Sequence, residues 1–388
     1  MPSKLSCDIA IIGGGLSGAL IALALHARKP GLDVRLIEGA QVIGGDRHWA
    51  FQEHDVAPEH RWLIAPVVAH MWRGHDVLFP NGAAGTDHGI YNVSSETLDA
   101  HVRAVLPAGW LMLGRRVAAV TRSSVVLAGG DRIRANAVID TRAPLDLSAL
   151  DLAWQNRLGE ELVLNVDHDL RRPMLCDARF PDIRERAHFF SAQPLGPDRI
   201  FVQSRLYEAT PGMDVGWHRD RIAHYAAARG WSLAYETRQK SGVLPLCMGG
   251  DFERFWNAGG VQVPKTGVRA GLFHPLTGHA LPDAVRVAAY IAGLDRLDAP
   301  LLHDELFEFA RDTWAARGFY RLFGTLFFRA ASPDERVAML ERVYRLDPAA
   351  IARFYAGHST GIDKVRLVGG RPVVPIRRAI AAIREKRA

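Results

Sequence analysis

The sequence has few cysteines and little net charge. Its 388 residues include three cysteines, Cys7, Cys176 and Cys247, which lie far apart and form no CxxC pair. This number and spacing exclude a disulfide framework and a zinc ribbon, and they are typical of a protein from a reducing compartment. We therefore predict no metal site. No nucleic-acid-binding motif or basic-aromatic face accompanies the charge, so we expect no nucleic-acid partner.

The net charge of +6 comes from the C-terminal tail. Residues 366–388 contain seven basic side chains and one acidic one, and the remaining residues balance. At helical spacing, Ile376, Ala379, Ile380 and Ile383 share one face with arginines around it, as in a helix that lies on an anionic membrane surface. A solvated terminal helix is the alternative interpretation. The tail thus predicts a peripheral membrane anchor, and we predict no protein partner.

A long apolar run begins close to the N-terminus. Met1–Cys7 is short and leads directly into it, so we expect no signal peptide. Ile9–Leu25 is uncharged over 17 residues, but four glycines interrupt it, which argues against a membrane span. Its first part is β-branched like a buried parallel strand, and Leu16–Arg28 is predicted to be a helix rich in alanine and leucine.

The glycines of this run form a dinucleotide-binding fingerprint. Gly13, Gly15 and Gly18 are spaced as GxGxxG between the strand and the helix, and a second predicted strand, Asp33–Ile37, ends at Glu38. Gly13 allows a tight turn, Gly15 lets the backbone approach a pyrophosphate, and Gly18 allows close packing of helix on strand. Glu38 can accept hydrogen bonds from ribose hydroxyls, which favours FAD or NAD over NADP.

Two later segments favour FAD. A predicted strand ends at Asp140. Flavoproteins with a split cofactor domain usually have such a strand just before the chain enters the substrate domain. The loop of residues 269–285 contains Gly271, Pro275 and Gly278 and leads into a helix, so its backbone could lie against a flavin and its phosphates. We therefore predict the α/β class, with a bipartite Rossmann-type FAD-binding domain.

A mixed β-sheet substrate domain and a helical C-terminal part are predicted to complete the fold. The predicted FAD-binding domain comprises residues 1–71, 111–150 and 263–300, the substrate domain residues 72–110 and 151–262, and the helical part residues 301–388. Residues 302–330 contain eight aromatic side chains. They are interpreted either as a buried helix pair or as a surface that dips into a bilayer.

The sequence resembles the bacterial carotenoid cyclases that act on lycopene, over nearly the whole chain. The segments that carry the resemblance are DIAIIGGGLSGALIALAL from Asp8, Gly44-Gly45 followed by Trp49 and Phe51, Val138–Asp140, Gly242–Pro245, AGLFHPLTG (270–278), FFRAASPDERVAMLERVYRL, RFYAGHST and GGRPVVPI (369–376). The segments after residue 240 distinguish this family from flavin hydroxylases and geranylgeranyl reductases, which share the fold.

The resemblance implies a membrane-associated lycopene β-cyclase that requires reduced FAD, with NAD(P)H as the electron source. In such an enzyme, an acid protonates the terminal double bond of an acyclic ψ-end. The resulting cation closes a six-membered ring, and loss of a proton leaves a β-ionone ring. The implied substrate is a lipophilic carotenoid, and the implied location is the cytoplasmic side of the inner membrane.

The segments expected to form the active site depart from the family pattern. Where the family has a Glu-Asp pair that is interpreted as the acid, this chain has Gln203 and Ser204. A neutral amide is a poor proton donor to an alkene. If the acid has moved, the carboxylates to test are Asp177, Glu208, Asp46 and Glu53, with His48 or His279 as assisting groups.

Three functions therefore remain open from the sequence. The chain could be a carotenoid cyclase with a relocated acid, or a flavoenzyme of the same fold with another reaction, including a redox one, on an isoprenoid or polyene lipid. It could also be a non-catalytic binder of flavin and lipid. All three remain open because the chain retains the cofactor-binding motifs of the family but differs from it in the segments expected to form the active site.

Overall fold

The computed structural model describes residues 4–144, 146–179, 186–258 and 260–385. The strands are β1 (Lys4–Ile12), β2 (Val34–Ile37), β3 (His48–Gln52), β4 (Val68–Trp72), β5 (His75–Phe79), β6 (Gly82–Thr86), β7 (Ile90–Ser94), β8 (Leu111–Met112), β9 (Val117–Thr121), β10 (Ser124–Leu127), β11 (Arg132–Asp140), β12 (Leu150–Leu164), β13 (Met174–Asp177), β14 (Ala187–Pro194), β15 (Arg199–Glu208) and β16 (Leu233–Gly250).

The helices alternate with these strands and then fill the C-terminal part. They are α1 (Leu16–Arg28), α2 (Arg61–Ile64), α3 (Ser95–Val105), α4 (Val215–Ala228), α5 (Phe252–Asn257), α6 (Leu281–Gly293), α7 (Ala299–Ala316), α8 (Gly318–Thr325), α9 (Pro333–Tyr344), α10 (Pro348–Tyr355), α11 (Gly361–Val368) and α12 (Ile376–Arg384). A π-helical turn, Leu326–Ala330, follows α8.

A six-stranded sheet in the order β8-β2-β1-β11-β10-β9 forms the predicted cofactor side of the molecule. β1 pairs in parallel with β2 and β11, so β1, α1 and β2 make a βαβ unit. Residues 16–25 of α1 are all buried, because the helix packs between the sheet and α6. The small side chains of this helix make such close packing on both sides feasible, and the predicted bounds Leu16–Arg28 are confirmed.

A seven-stranded sheet in the order β16-β12-β15-β14-β13-β5-β6 forms the second layer. The sequence predicts short strands at Glu161–Val166 and Ser232–Glu236. In the structure these segments overlap only the end of β12 and the start of β16, which run for 15 and 18 residues. Polar residues that face the interior cavity, such as Arg157, break the apolar alternation from which strand length is predicted. The sheet is mixed, as predicted, because β5 and β13 are parallel while its other pairs are antiparallel.

The C-terminal helices cover one end of this sheet. The eight aromatic residues between 302 and 330 are all buried or half-buried, and Tyr320, Phe323 and Phe327 belong to one apolar core with α9 and α10. The interpretation of this segment as a bilayer-dipping surface is therefore wrong for these side chains. Among the helices of the described ranges, none is long and apolar enough to cross a membrane.

Helix α12 packs on the protein with its small residues and leaves its isoleucines exposed. Ala382 is buried in the core that α8 and α9 share, while the side chains of Ile376, Ile380 and Ile383 are 63%, 45% and 45% exposed. The helix begins at Ile376 and ends at Arg384. Residues 386–388 of the predicted tail lie outside the described residues.

Candidate active site

A cavity of about 520 Å³ lies where the glycine-rich loop, the seven-stranded sheet and the C-terminal helices meet. Gly15 and Ser17 of the α1 entrance line one part of it, and aromatic side chains such as Phe201, Phe328 and Tyr344 line another. Its volume is typical of small-molecule and cofactor sites. One continuous space therefore joins the predicted cofactor loop to an apolar chamber.

The glycine-rich loop has the geometry that a dinucleotide needs. Gly13 has a φ of +103°, and a Cβ on Gly18 would lie 2.0 Å from the carbonyl oxygen of Gly13. A Cβ on Gly15 would meet nothing within 4 Å, so this residue opens onto the cavity. No side chain caps the first turn of α1, whose N–H groups and positive dipole end suit a pyrophosphate. The residues thus fit FAD.

Of the two acids predicted to contact the cofactor, Glu38 lies beside the glycine-rich loop and Asp140 lies behind the cavity wall. Glu38 accepts hydrogen bonds from the N–H groups of Gly14 (2.6 Å) and Ala40 (2.8 Å), beside the loop. Asp140 is fully buried outside the cavity wall, and its carboxylate forms ion pairs with Arg142 (2.8 Å) and Arg269 (3.1 Å). Of the two arginines, Arg142 lines the cavity, so Asp140 can influence a bound cofactor through Arg142.

The predicted flavin loop is a compact turn at the start of α6. The N–H of Gly278 donates to the carbonyl of His274 (2.9 Å), and the carbonyl of Pro275 accepts from Cys247 of β16 (3.0 Å). Gly278 has a φ of +68° and lines the cavity, whereas Gly271 packs behind the loop and Pro275 does not reach the cavity wall. Of the three predicted loop contacts, Gly278 is the one that faces the cavity.

The two residues that replace the family acids lie on opposite faces of β15. Gln203 lines the cavity, and its side-chain oxygen accepts from Nε of Arg205 (2.7 Å). Ser204 points the other way, where its hydroxyl contacts ring nitrogens of His188 and His218, each at 2.7 Å. Position 203 alone could therefore present an acid to the cavity.

Asp177 and Glu208, the predicted relocated acids, do not line the cavity. The carboxylate of Asp177 is fully buried and accepts from Arg179 (2.8 Å) and from the hydroxyl of Tyr225 of α4 (3.2 Å). Glu208 lies beside the start of α4 and accepts from Asn156 (2.9 Å). Both carboxylates are directed away from the cavity, so neither can donate a proton into it.

The other predicted groups are also unsuited to donating a proton. Asp46 is 67% exposed and pairs with Lys240, and Glu53 pairs with Arg61 outside the cavity wall. His48 and His279 do line the cavity. Burial, followed by nearby positive charge, lowers the pKa of His48 to about 4 and that of His279 to about 3. Both imidazoles are therefore neutral near pH 7.

Asp55 is the acid that sequence reasoning missed. Of the described residues that line the cavity, it is the one with a carboxyl group. Its Oδ2 accepts from the N–H of Gln52 (2.7 Å), while its Oδ1 is shielded from solvent and has no hydrogen-bond partner in the described chain. Burial raises the pKa of Asp55 to about 7, against the Gln52 hydrogen bond that lowers it. The carboxyl group therefore exchanges a proton near neutral pH.

Comparison with known proteins relates the whole chain to one family. A family described as "Lycopene cyclase protein" matches residues 8–381. The chain is similar to a lycopene beta-cyclase of Pseudescherichia vulneris, with 36% identity over 95% of each chain. It is also similar to one of Paracoccus sp., with 32% identity over 98% of this chain and 97% of the relative.

Solved structures share the fold at much lower identity. A geranylgeranyl bacteriochlorophyll reductase-like protein from Thermoplasma acidophilum aligns over 99% of this chain and 97% of its own, with a TM-score of 0.56 and 14% identity. A structure described as a probable FAD-dependent monooxygenase from Pseudomonas aeruginosa aligns over 91% of this chain and 99% of its own, with a TM-score of 0.54 and 17% identity. The predicted α/β flavoprotein fold is thereby confirmed.

Proposed function

Because the chain belongs to the lycopene cyclase family, we propose that it is a flavin-dependent enzyme that closes the ψ-ends of an acyclic carotenoid to β-ionone rings. The observation that carries this proposal is Asp55, the one carboxyl-bearing residue among the described residues that line a largely apolar cavity. Ring closure needs one proton donor beside a terminal alkene and few water molecules that could trap a cation. Asp55 would be the donor, and the apolar side chains that line most of the cavity disfavour bound water.

The cofactor in this proposal is FAD, with NAD(P)H as its reductant. Gly13, Gly15 and Gly18 would hold the pyrophosphate at the start of α1, and Glu38 the adenosine ribose. The turn around Gly278 and the uncapped start of α6, where Ala280 and Leu281 line the cavity, would contact the flavin ring. When bound in its reduced form, FAD supplies negative charge that stabilises a nearby carbocation.

The proton donor in this proposal is Asp55. A carboxyl with a pKa near 7 is protonated in a large share of molecules at neutral pH, and the conjugate base left behind is strong enough to take a proton back at the end of the reaction. Aromatic faces of the chamber, including Phe328 and Tyr355, can stabilise the intervening cation through their π-systems. Neutral His48 can accept a proton but not donate one as imidazolium.

Association with the cytoplasmic face of a membrane is the second part of the proposal. The exposed Ile376, Ile380 and Ile383 of α12 are accompanied by the exposed Arg377 and Arg384, which suits a helix lying on an anionic lipid surface, whereas Arg378 pairs with Glu335 of α9. Helix α11 also exposes two aliphatic side chains, Ile362 and Val365, each 67% exposed. A carotenoid substrate resides in the bilayer, so this end of the molecule would receive it.

The test is expression in bacteria that accumulate lycopene, followed by pigment analysis of wild type and of Asp55→Asn. β-Carotene or the monocyclic product should appear with wild type and be lost with the variant. Gly15→Val is the control without flavin. Unchanged lycopene in cells that contain yellow wild-type flavoprotein would contradict the cyclase and favour a flavin-dependent reaction on another isoprenoid or polyene lipid.

A further inference from the structure

Two arginines face the cavity and form no ion pair with a carboxylate within the described chain. Arg157 of β12 and Arg205 of β15 are paired directly across the two strands, and both line the cavity. Like charges directly opposite each other destabilise a sheet. A negatively charged group between or above the two guanidinium groups would relieve this repulsion.

Among the residues that the structure describes, the acceptors for this pair are neutral. Arg205 donates to the side-chain oxygens of Gln203 (2.7 Å) and Ser191 (2.9 Å). The side chain of Arg157 has no hydrogen bond or ion pair with any residue in the described ranges. Burial and the positive charges of Arg205 and Arg47 lower the pKa of Arg157 to about 9, so it still carries its charge at neutral pH. An unpaired charge in such a site is costly.

The acidic residues in or beside the cavity do not neutralise the positive charge of these two arginines. Asp140 is occupied by Arg142 and Arg269 in the wall beside the glycine loop. Asp55 is the one carboxyl that lines the cavity in the described chain, and its raised pKa reports burial without a stabilising cation. The two arginines thus leave a net positive region inside an apolar chamber.

We propose that Arg157 and Arg205 together bind a planar organic anion inside this cavity. The fork of a guanidinium matches two coplanar electronegative atoms and stacks on aromatic faces. Two sources have this chemistry. One is the anionic edge of a reduced flavin ring, and the other is the carboxylate of a polyene acid that enters as substrate.

The predicted flavin loop lies near the pair. A Cβ on Gly278 would lie 3.2 Å from Leu244 of β16, and a Cβ on Gly242, two residues earlier on the same strand, would lie 3.5 Å from Nε of Arg157. Burial is the main cause that lowers the pKa of His279 in that loop, and the nearby charges of Arg205 and Arg157 lower it further. This proximity makes the flavin the first source to test, and that arm rests on the proposed function.

The first measurement is the midpoint potential of FAD in purified wild type, Arg157→Gln and Arg205→Gln. If the pair binds the flavin anion, each substitution should weaken binding of reduced relative to oxidised flavin about tenfold, which lowers the two-electron potential by about 30 mV. Arg219→Gln is the matched control, because Arg219 pairs with Glu160 and Glu236 outside the cavity. Flavin content of wild type separately decides whether the chain binds FAD.

The second measurement is titration of the same holoenzymes with all-trans-retinoic acid and with its methyl ester. Binding is detected by tryptophan fluorescence, since Trp49 and Trp154 line the cavity. If the pair binds a substrate carboxylate, wild type should prefer the acid about tenfold, and both glutamine variants should lose the preference. The comparison of acid and ester binding by wild type remains informative even if a glutamine variant fails to fold. Unchanged potentials, together with equal binding of acid and ester by wild type, would overturn the proposal.

Discussion

Replacing Asp55 with asparagine tests whether its carboxyl delivers the proton for cyclisation. The shift of its pKa from 3.8 to about 7 corresponds to about 4 kcal/mol in favour of the protonated form. About half of the molecules then carry the proton at pH 7 and roughly one in a hundred at pH 9. General acids contribute about 10²- to 10⁴-fold to rates, so kcat should fall by that factor in Asp55→Asn.

The assay is cyclisation of lycopene in liposomes by the reduced holoenzyme between pH 5.5 and 9.5, with products separated by chromatography. Wild-type activity should decline above about pH 7, and Asp55→Glu should retain activity with a shifted profile. Glu53→Gln is the matched control, because Glu53 lies in the same turn and pairs with Arg61 outside the cavity. The reasoning is refuted if Asp55→Asn keeps more than a tenth of wild-type activity with normal flavin content.

The same carboxyl should also affect stability in a defined pH range. Its pKa in the folded state lies above the unfolded value, so the folded state holds a proton that the unfolded state releases between about pH 4 and 7. The free energy of unfolding of wild type should therefore decline across that range by up to about 4 kcal/mol. Asp55→Asn lacks this contribution, and urea titrations of both proteins at pH 5 and pH 8 measure the difference.

Three further predictions concern the cofactor loop, position 203 and the tail. Gly15→Val should fold with an unchanged circular dichroism spectrum but purify without flavin, whereas Gly18→Ala should lower the melting temperature, because its Cβ would clash with the backbone. Gln203→Glu should not restore cyclisation to Asp55→Asn, because Arg205 would hold the new carboxylate ionised; restored β-carotene would contradict this. Removing residues 376–388 should move the protein from the membrane to the soluble fraction with its flavin retained, and unchanged fractionation would show that α12 is only a solvated helix.

The cofactor side of the fold could be predicted because its signals are local. The apolar end of β1, the glycine spacing and the alanine- and leucine-rich helix follow one another directly in the chain, and each is specified by local sequence. The long strands of the second sheet were underestimated because residues such as Arg157 and Gln203 are polar and yet face inward. Periodicity detects contact with an apolar core, and it fails where the interior is a chamber with charged groups.

The proton donor was harder to predict from the sequence than the cofactor loop. The candidate carboxyl groups are chemically alike, and they differ in whether the fold directs them into the cavity. Asp46, Glu53 and Asp55 lie within ten residues of one another, and sequence alone does not show which one is covered. That depends on α10, about 300 residues later, which packs on the turn that contains Asp55. One signal was available at position 203, since alternation along β15 separates Gln203 from Ser204.

The packing of α6 on α1 has a consequence for how the chain is made on the ribosome. Both faces of α1 are covered in the finished protein, yet one covering element ends at Gly293, 265 residues after Arg28. At about 5–20 residues per second, the N-terminal unit waits roughly 13–50 s with an uncovered aliphatic helix. We expect nascent chains stalled before α6 to recruit holdase chaperones, and prematurely terminated products that lack it to accumulate in inclusion bodies.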